Sequence, residues 1–160
     1  MYCAQKSKEE YIKYMVEKYA DMVYRLAISR TRNKEDGEDV FQEVFLRLSK
    51  KLPEFENENH EKAWLIRVTI NCSKNLLESA WNKKTVPLEY EISFSQEEIG
   101  DVYFEVLKLP QKYRTVIHLF YYERLSIEEI SKILKQNINT TKTQLSRARE
   151  KLKNSLKGGF

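Results

Sequence analysis

The sequence SIEEISKILKQNINTTKTQLSRAREKL, residues 126–152, has the pattern of two short helices joined by a tight turn. Ser126 followed by Glu129 predicts a capping box at the start of the first helix. Its apolar stripe consists of Ile127, Ile130, Ile133 and Leu134. The turn contains two asparagines, which tolerate turn geometry, and Asn139 or Thr140 is expected to cap the second helix. The stretch therefore predicts a helix-turn-helix, whose second helix enters the major groove of DNA.

The second helix of this motif combines an apolar face with a polar, basic one. The apolar face comprises Thr141, Leu145, Ala148, Leu152 and Leu156. Residues 135–157 contain seven basic side chains and one acidic side chain, a balance that favours phosphate contacts. The candidate DNA-binding side chains are Thr140, Lys142, Thr143, Gln144, Ser146 and Arg147. The alternative is a solvated basic helix at the end of a helical bundle.

Composition restricts the fold and the class of function. The chain has 160 residues and a net charge of +4, and its scarce Gly and Pro predict an all-α protein. No apolar run could span a bilayer and the N-terminus lacks a signal sequence, so no membrane insertion and a cytoplasmic location are expected. The two cysteines, Cys3 and Cys72, make no metal cluster, and Cys72 is interpreted as a small core residue. We therefore expect no metal and no cofactor.

Helical spacing predicts three helices in the first half of the chain. They are expected over Glu9–Thr31, Asp36–Leu52 and Glu61 to about Trp81, with a break at Asn33–Gly37 and a polar loop at Phe55–His60. Residues 87–105 contain six acidic side chains and no basic one, and their first half lacks helical periodicity. This composition predicts a helical domain over residues 1–84, an acidic linker over 85–96 and a helix-turn-helix domain over 97–160.

Two further helices are expected before the helix-turn-helix motif. Ser95 with Glu98 can cap a short helix running to Leu107. Pro110 is expected at the first position of a helix that continues to Glu123.

Two helices of the first domain carry unusual surface stripes. On the third helix the stripe consists of Trp64, Arg67, Asn71 and Lys74. An aromatic ring with cations suits single-stranded nucleic acid, although Trp64 could instead pack against another helix. On the second helix Leu46 stands beside Asp39, Gln42 and Glu43. This set can form a protein docking surface, but single exposed leucines are common in any soluble protein.

Taken together, these stretches resemble the bacterial RNA polymerase sigma factors, and most closely the two-domain extracytoplasmic-function group of the sigma-70 family. The resemblance rests on EDGEDVFQEVFLRL (35–48), FENENHEKAWLIRVTINCSKNLL (55–77), LPQKYRTVIHLFYYERLSIEEISKIL (109–134) and NTTKTQLSRAREKL (139–152). With the first helix, it covers nearly the whole chain.

The resemblance implies a role for each of these surfaces. The set Asp39, Gln42, Glu43 and Leu46 matches the helix that docks on the clamp helices of core RNA polymerase. The minus-10 surface, which opens the duplex and captures a flipped base of the non-template strand, matches Phe55, Asn57, Asn59, Trp64, Arg67, Asn71 and Lys74. The six polar residues of the second motif helix match the helix that reads the minus-35 duplex. Glu129 and Arg149 match a structural pair buried between the two motif helices. An anti-sigma factor is the further partner that the resemblance implies.

Three positions depart from the family pattern. Lys135 stands where the turn often has Gly, and a positive φ there would strain a residue with a side chain. Thr141 replaces a usual Val, a small loss of core, and the loop FENENH is acidic where relatives often carry Arg and Gly.

No catalytic constellation is visible, so the chain is not expected to be an enzyme. His60 and His118 have no partner at motif spacing. Two alternatives to an initiation factor stay open: a DNA-binding regulator that acts without polymerase, and a sigma-like protein that only sequesters a partner.

Overall fold

The protein is all-α throughout the part that the computed structural model describes, which is residues 7–83, 92 and 94–159. The helices are α1 (Lys8–Thr31), α2 (Lys34–Lys51), α3 (Glu58–Lys83), α4 (Gln96–Ile99), α5 (Asp101–Lys108), α6 (Gln111–Ile117), α7 (Ile127–Leu134) and α8 (Ile138–Gly159). A short π-helical segment, His118–Tyr122, follows α6. The helices divide into two compact units, α1–α3 and α4–α8. The all-α prediction is confirmed.

The first unit is built on the packing of α1 against α3. Helical spacing places one set of apolar side chains on a single face of α1, and the structure buries all of them, with Met15 and Leu26 fully buried. The set is Tyr11, Met15, Tyr19, Met22, Val23, Leu26 and Ala27. Leu65 and Ile66 of α3 and Leu48 of α2 are fully buried too. At roughly 25 cal/mol per Å² of apolar surface removed from water, this packing is the main term that holds the unit together.

Helical spacing predicts a buried face of Leu65, Val68, Cys72 and Leu76 on α3, and the structure differs at two of these positions. Leu65 and Cys72 are buried as expected, but Val68 and Leu76 are only half-buried. Thr69 and Ser73 are buried instead. Their hydroxyl groups donate to backbone oxygens one turn back, at 2.7 Å in both cases, so burial leaves them hydrogen-bonded.

Arg30 of α1 is also buried in this unit, although it is charged. Its Nε donates to the Ser73 hydroxyl at 2.9 Å. Burial lowers the pKa of the Arg30 guanidinium to about 10. Periodicity could not predict this buried pair, because both residues are usually found on protein surfaces.

The break between α1 and α2 is shorter than the predicted one at Asn33–Gly37. Gly37 lies inside α2 and is buried, and a Cβ at this position would collide with Cδ1 of Ile28. Gly37 therefore leaves room for the Ile28 side chain of α1, and it does not break the helix. At the other end, helical spacing predicts Leu52 on the core face of α2, and the structure differs. Leu52 lies beyond the helix, with φ of 44° and 39% exposure.

The second unit encloses its own core between α5, α6 and α8. Its buried members are Val106, Leu109, Tyr113, Val116, Ile117, Leu145 and Ala148. Ser95 and Glu98 form the predicted capping box, but the helix they begin ends after one turn. Gly100, at φ of 85°, separates α4 from α5, so the single helix predicted to Leu107 is in fact two.

The helix predicted from Pro110 to Glu123 is also divided. Pro110 is the N-cap of α6 and not its first residue. From His118 the backbone widens to a π-helical turn, in which the Glu123 amide donates to the His118 carbonyl at 3.1 Å. Inside it, His118 is fully buried, with Nδ1 3.2 Å from the Tyr103 hydroxyl and Nε2 3.4 Å from a Glu123 carboxylate oxygen. His118 therefore has partners that motif spacing did not reveal.

The predicted domain boundaries stay a prediction, because residues 85–91 and 93 of the expected linker lie outside the described residues, as does Cys3. Cys72 is buried as predicted, and burial raises the pKa of its thiol. Among the described residues, no helix is both long and apolar enough to cross a membrane.

Candidate nucleic-acid and protein interfaces

The helix-turn-helix motif forms as the sequence predicts. Ser126 caps α7, and its side chain and that of Glu129 complete a reciprocal capping box. Ile130 and Ile133 are buried. At the end of α7, Lys135 adopts the left-handed conformation, with φ of 54° and ψ of 49°. The expected strain at this position is therefore present.

Replacing Lys135 with Gly is expected to stabilise the second unit. A left-handed L-residue costs about 1–2 kcal/mol, and the extra freedom of Gly in the unfolded chain returns about 0.5–1 kcal/mol of this. We expect a net gain of about 0.5–1 kcal/mol in the free energy of unfolding, measured by urea denaturation. Lys135→Ala is the matched control, since it removes the same charge but keeps Cβ. A Gly variant no more stable than the Ala variant would contradict the strain argument.

Helix α8 begins earlier than predicted because a different residue caps it. Asn137 is the cap, and its Oδ1 accepts a hydrogen bond from the Asn139 amide at 2.7 Å. The turn is consequently only residues 135–137. Asn139 and Thr140, the predicted caps, lie in the first turn of α8 with exposed side chains.

The recognition face of α8 is the set of predicted DNA-binding side chains on this helix. Five of them are exposed: Thr140, Lys142, Thr143, Ser146 and Arg147. Gln144 is half-buried, and its Oε1 accepts a hydrogen bond from Gln136 Nε2 at 2.7 Å. Gln144 thus links α8 to the turn, and it also borders the recognition face. On the opposite face, Thr141, Leu145 and Ala148 are buried as predicted, at 1% exposure or less, whereas Leu152 and Leu156 are half-buried.

The Thr141 hydroxyl makes hydrogen bonds that a valine at this position could not make. This hydroxyl lies 2.7 Å from the Ser131 hydroxyl and accepts from Gln136 Nε2 at 2.9 Å. These bonds join α7, the turn and α8. The predicted small loss of core is therefore offset by a buried hydrogen-bond network, in which each bond contributes about 1 kcal/mol.

The expected pair between Glu129 and Arg149 does not form. Glu129 is exposed and occupied by the capping box. Arg149 is exposed, and its Nε donates to the Tyr121 hydroxyl at 2.6 Å. Its guanidinium also lies 5.3 Å from the ring centroid of Phe120. Arg149 thus contacts Tyr121 and Phe120 of the π-helical segment, whereas the resemblance implies a contact with the Glu129 carboxylate.

A cleft of about 340 Å³ opens beside the recognition face. Its lining includes Thr140, Thr143 and Arg147 of α8, together with Lys112 and Tyr113 of α6. The last two were not predicted, because no spacing rule connects α6 with α8.

In the first unit, the predicted minus-10 stripe lies along α3. Asn71 and Lys74 are exposed, and Trp64 and Arg67 are half-buried. The Trp64 ring packs edge-on against Phe55, with centroids 5.8 Å apart. Phe55 in turn contacts His60, at 5.3 Å between centroids. The loop and the stripe therefore share one aromatic cluster, which the sequence did not predict.

The loop itself is shorter than Phe55–His60, because α3 begins at Glu58. Asn57 is the cap: its Oδ1 accepts from the His60 amide at 2.9 Å. Asn59 is exposed in the first turn of the helix. His60 has a local partner too, since its Nδ1 accepts from the Glu56 amide at 3.3 Å.

A lysine of α1 offsets part of the acidic charge at this end of α3. Lys18 Nζ lies 2.9 Å from Glu58 and 3.2 Å from Glu61. The hydrogen bond from Lys18 to the Tyr14 hydroxyl, together with those to the two carboxylates, raises the lysine pKa. Tyr19 donates to Glu61 at 2.7 Å, and burial is the main cause that raises its pKa. The N-terminal end of α3 therefore carries less negative charge than the loop sequence FENENH alone predicts.

The predicted docking surface on α2 is exposed along its length. Asp39, Gln42 and Glu43 are exposed, and Leu46 has 52% exposure despite its apolar side chain. Glu43 pairs with Arg47 at 3.1 Å, one turn along the helix. The opposite side of α2 is buried through Val40, Val44 and Leu48, so the four residues contribute little to the core.

Comparison with known families and proteins agrees with this division into two units. The family described as Sigma-70 region 2 matches residues 15–83, and the family described as Sigma-70, region 4 matches residues 94–152. The chain is 30% identical to the ECF RNA polymerase sigma factor SigW of Bacillus subtilis, over 89% of this chain and 87% of that protein. It is 33% identical to the RNA polymerase sigma factor SigV of the same organism, over 78% of each chain.

Solved structures share the fold at lower identity. The sigma factor RpoE of Bartonella quintana, crystallised with the anti-sigma factor NepR, matches with a TM-score of 0.74 and 23% identity, over 91% of this chain and 96% of that one. CnrH, in complex with the cytosolic domain of CnrY, matches with a TM-score of 0.69 and 22% identity, over 92% and 88% of the two chains. With a region 2 unit, a region 4 helix-turn-helix and these relatives, the chain belongs to the extracytoplasmic-function group of sigma-70 RNA polymerase sigma factors.

Proposed function

We propose that three surfaces of this sigma factor divide the work of initiation. A sigma factor directs core RNA polymerase to promoters, so one surface must bind the enzyme and others must bind DNA. We assign core polymerase to Asp39, Gln42, Glu43 and Leu46 of α2. We assign duplex DNA to the recognition face of α8. The observation that carries this assignment is that the polar and basic side chains of this face are exposed on the second helix of a helix-turn-helix.

The minus-10 element is assigned to the first unit. Trp64 can stack on a base of the separated strand, while Arg67 and Lys74 on the same helix hold its phosphates. Phe55, Asn57 and Asn59 lie at the N-terminal end of the same helix, where a flipped base would be received. The Phe55–Trp64 contact supports a joint role for the loop and the stripe. Since Asn57 caps α3, its replacement would disturb the helix start as well as any base contact.

The chain contributes binding energy and strand separation, and the polymerase supplies the chemistry. We therefore place it in the cytoplasm with the polymerase and the promoter, as a subunit that is not itself an enzyme. An anti-sigma factor is a further partner, because a sigma factor with the shared fold, RpoE, was co-crystallised with the anti-sigma factor NepR, and CnrH, which also shares the fold, forms a complex with the cytosolic domain of CnrY.

Arg147→Ala tests the minus-35 assignment. If Arg147 contacts a base edge bidentately, the variant should weaken binding of the reconstituted holoenzyme to its promoter by about 1–3 kcal/mol and relax the preference at one base pair. Competition between promoter fragments, each altered at one minus-35 position, measures both effects at fixed salt. Arg147 is exposed, so the melting temperature should not change.

Uniform weakening across all fragments would instead make Arg147 a phosphate contact. Lys153→Ala is the matched control, because it removes an exposed cation from α8 outside the recognition face. Promoter-specific transcription in the same reactions separates initiation from the two alternatives. A regulator acting alone would bind the promoter tightly without core enzyme, and a sequestering protein would bind a partner but yield no transcript.

A further inference from the structure

Two lysines from different helices lie over one aromatic ring beside the recognition face. Lys112 Nζ of α6 lies 5.1 Å from the ring centroid of Tyr113, and Lys151 Nζ of α8 lies 5.8 Å from the same centroid. The Tyr113 ring is buried in the core of the second unit, whereas both lysines are exposed. Because a cation is attracted to an aromatic face at these distances, a rigid core ring holds both cations in one small region of the surface.

This region adjoins the residues that are assigned to duplex DNA. Lys112 lines the same cleft as Thr140, Thr143 and Arg147, although it comes from outside the helix-turn-helix motif. Lys151 lies one turn beyond Arg147 on α8, and residues four apart are neighbours on a helix surface. The two lysines thus place positive charge at the edge of the recognition face, one from across the cleft and one from further along the helix.

This positive charge is not neutralised within the part of the chain that the structure describes. No described carboxylate forms an ion pair with Lys112, Lys151 or Arg147. Lys108 of α5, by contrast, is paired with Glu105 at 3.1 Å. Since like charges four residues apart on a helix repel, the cations disfavour one another until an anion binds beside them. The anion that a DNA-reading helix meets is the phosphate backbone, which carries one negative charge per about 1.7 Å of duplex.

We propose that Lys112 and Lys151 form a phosphate-binding pair: they contact backbone phosphates of the minus-35 duplex and fix the register of α8 in the major groove. The inference rests on the proposed role of the recognition face. Phosphate contacts carry no sequence information, but they set the orientation in which the helix presents its side chains to the bases. The ring of Tyr113 lowers the cost of binding, because side chains that are ordered in advance lose less rotamer freedom.

The test is the double variant Lys112→Gln, Lys151→Gln, which removes two charges and keeps polar side chains at both positions. Each lost phosphate contact should reduce the slope of log affinity against log salt concentration by about 0.9. When the salt concentration is raised fourfold, the wild type should therefore lose about tenfold more affinity than the double variant. The measurement is binding of the reconstituted holoenzyme to minus-35 fragments, and the base preference of the variant should be unchanged.

The matched control is the double variant Lys153→Gln, Lys157→Gln, because it removes the same charge from the same unit. These two lysines line a different groove, together with Leu152 and Leu156, so the salt slope should stay close to the wild-type value. If the control lowered the slope as much as the test variant, net charge alone would set the salt dependence and the inference would be wrong.

Methylphosphonate linkages, which remove the charge of one phosphate at a time, test the contact itself. One or two linkages beside the minus-35 element should weaken binding of the wild type but have no further effect on the Lys112→Gln, Lys151→Gln variant. If every linkage weakened both proteins equally, the two lysines would be solvated side chains and the phosphate-binding pair would not exist.

Arg147→Ala in the same assay separates this inference from the proposed function. A relaxed preference at one base pair, with an unchanged salt slope in the Lys112→Gln, Lys151→Gln variant, would retain the recognition face and refute the pair. A lowered slope in that variant, with no effect of Arg147→Ala on base preference, would retain the pair and refute base reading by Arg147.

Discussion

Alanine at three exposed positions of α2 should lower the affinity for core RNA polymerase about 100-fold, by roughly 3 kcal/mol. The positions are Asp39, Gln42 and Leu46. A leucine with 52% exposure has little to lose in the folded monomer, and its apolar surface becomes useful only when a partner covers it. The charged and amide groups beside it give direction to the docking, since a misplaced partner would leave them unpaired.

The affinity is best measured by titrating labelled core enzyme with the variant and by size-exclusion co-elution. Stability should be little affected, because all three side chains are exposed. A matched triple variant on α1, with alanine at Glu10, Lys13 and Glu17, changes the same number of exposed residues in the same unit. If both triple variants bound core enzyme as well as the wild type, α2 would not be the docking helix, and a DNA-binding regulator would account better for the chain.

The parts of the fold that were predicted correctly depend on local physics. The capping box of Ser126 and Glu129 lies within four residues, so its letters alone predict the start of α7. The same holds for the apolar face of α8, where helical spacing places Leu145 and Ala148 in the core. Lys135 was recognised as a strained position because it ends a helix where Gly is usual.

The predictions that failed depend on contacts between distant residues. Gly37 resembles a helix breaker in the sequence, but inside α2 its missing side chain leaves room for Ile28. The expected Glu129–Arg149 pair does not form, because Arg149 contacts Tyr121 and Phe120 instead. Tyr113 was missed for the same reason: its ring belongs to the core of the second unit, and only the folded unit shows that it lines the cleft beside α8.

The asparagine caps illustrate an intermediate case. Asn57 and Asn137 each accept an amide hydrogen bond at the start of a long helix. The sequence contains several asparagines near both starts, at Asn57 and Asn59 and again at Asn137 and Asn139. Each of them can cap a helix, so local propensity could not choose between them.

Trp64→Ala is expected to reduce formation of the open promoter complex about 10- to 100-fold while leaving initial duplex binding nearly unchanged. Stacking of one base on an aromatic ring contributes roughly 1–3 kcal/mol, and this energy is available only after the strands separate. Trp64 is half-buried with its ring edge-on to Phe55, so alanine would also remove support for the loop residue that is proposed to receive the flipped base. A fluorescent base analogue in the minus-10 element measures opening, and competition with closed duplex measures binding.

Trp64→Phe is the matched variant, because a smaller aromatic ring keeps part of the stacking surface and should retain an intermediate level of opening. A promoter with a mismatched, already separated minus-10 element gives a second control. Because its strands need no melting, transcription by the alanine variant should recover to within about threefold of wild type, as the unstacking cost has been removed in advance. A misfolded first unit would not be rescued in this way. Equal loss of duplex binding and opening, with a lowered melting temperature, would show that Trp64 belongs to the core of the first unit and that the minus-10 stripe begins at Arg67.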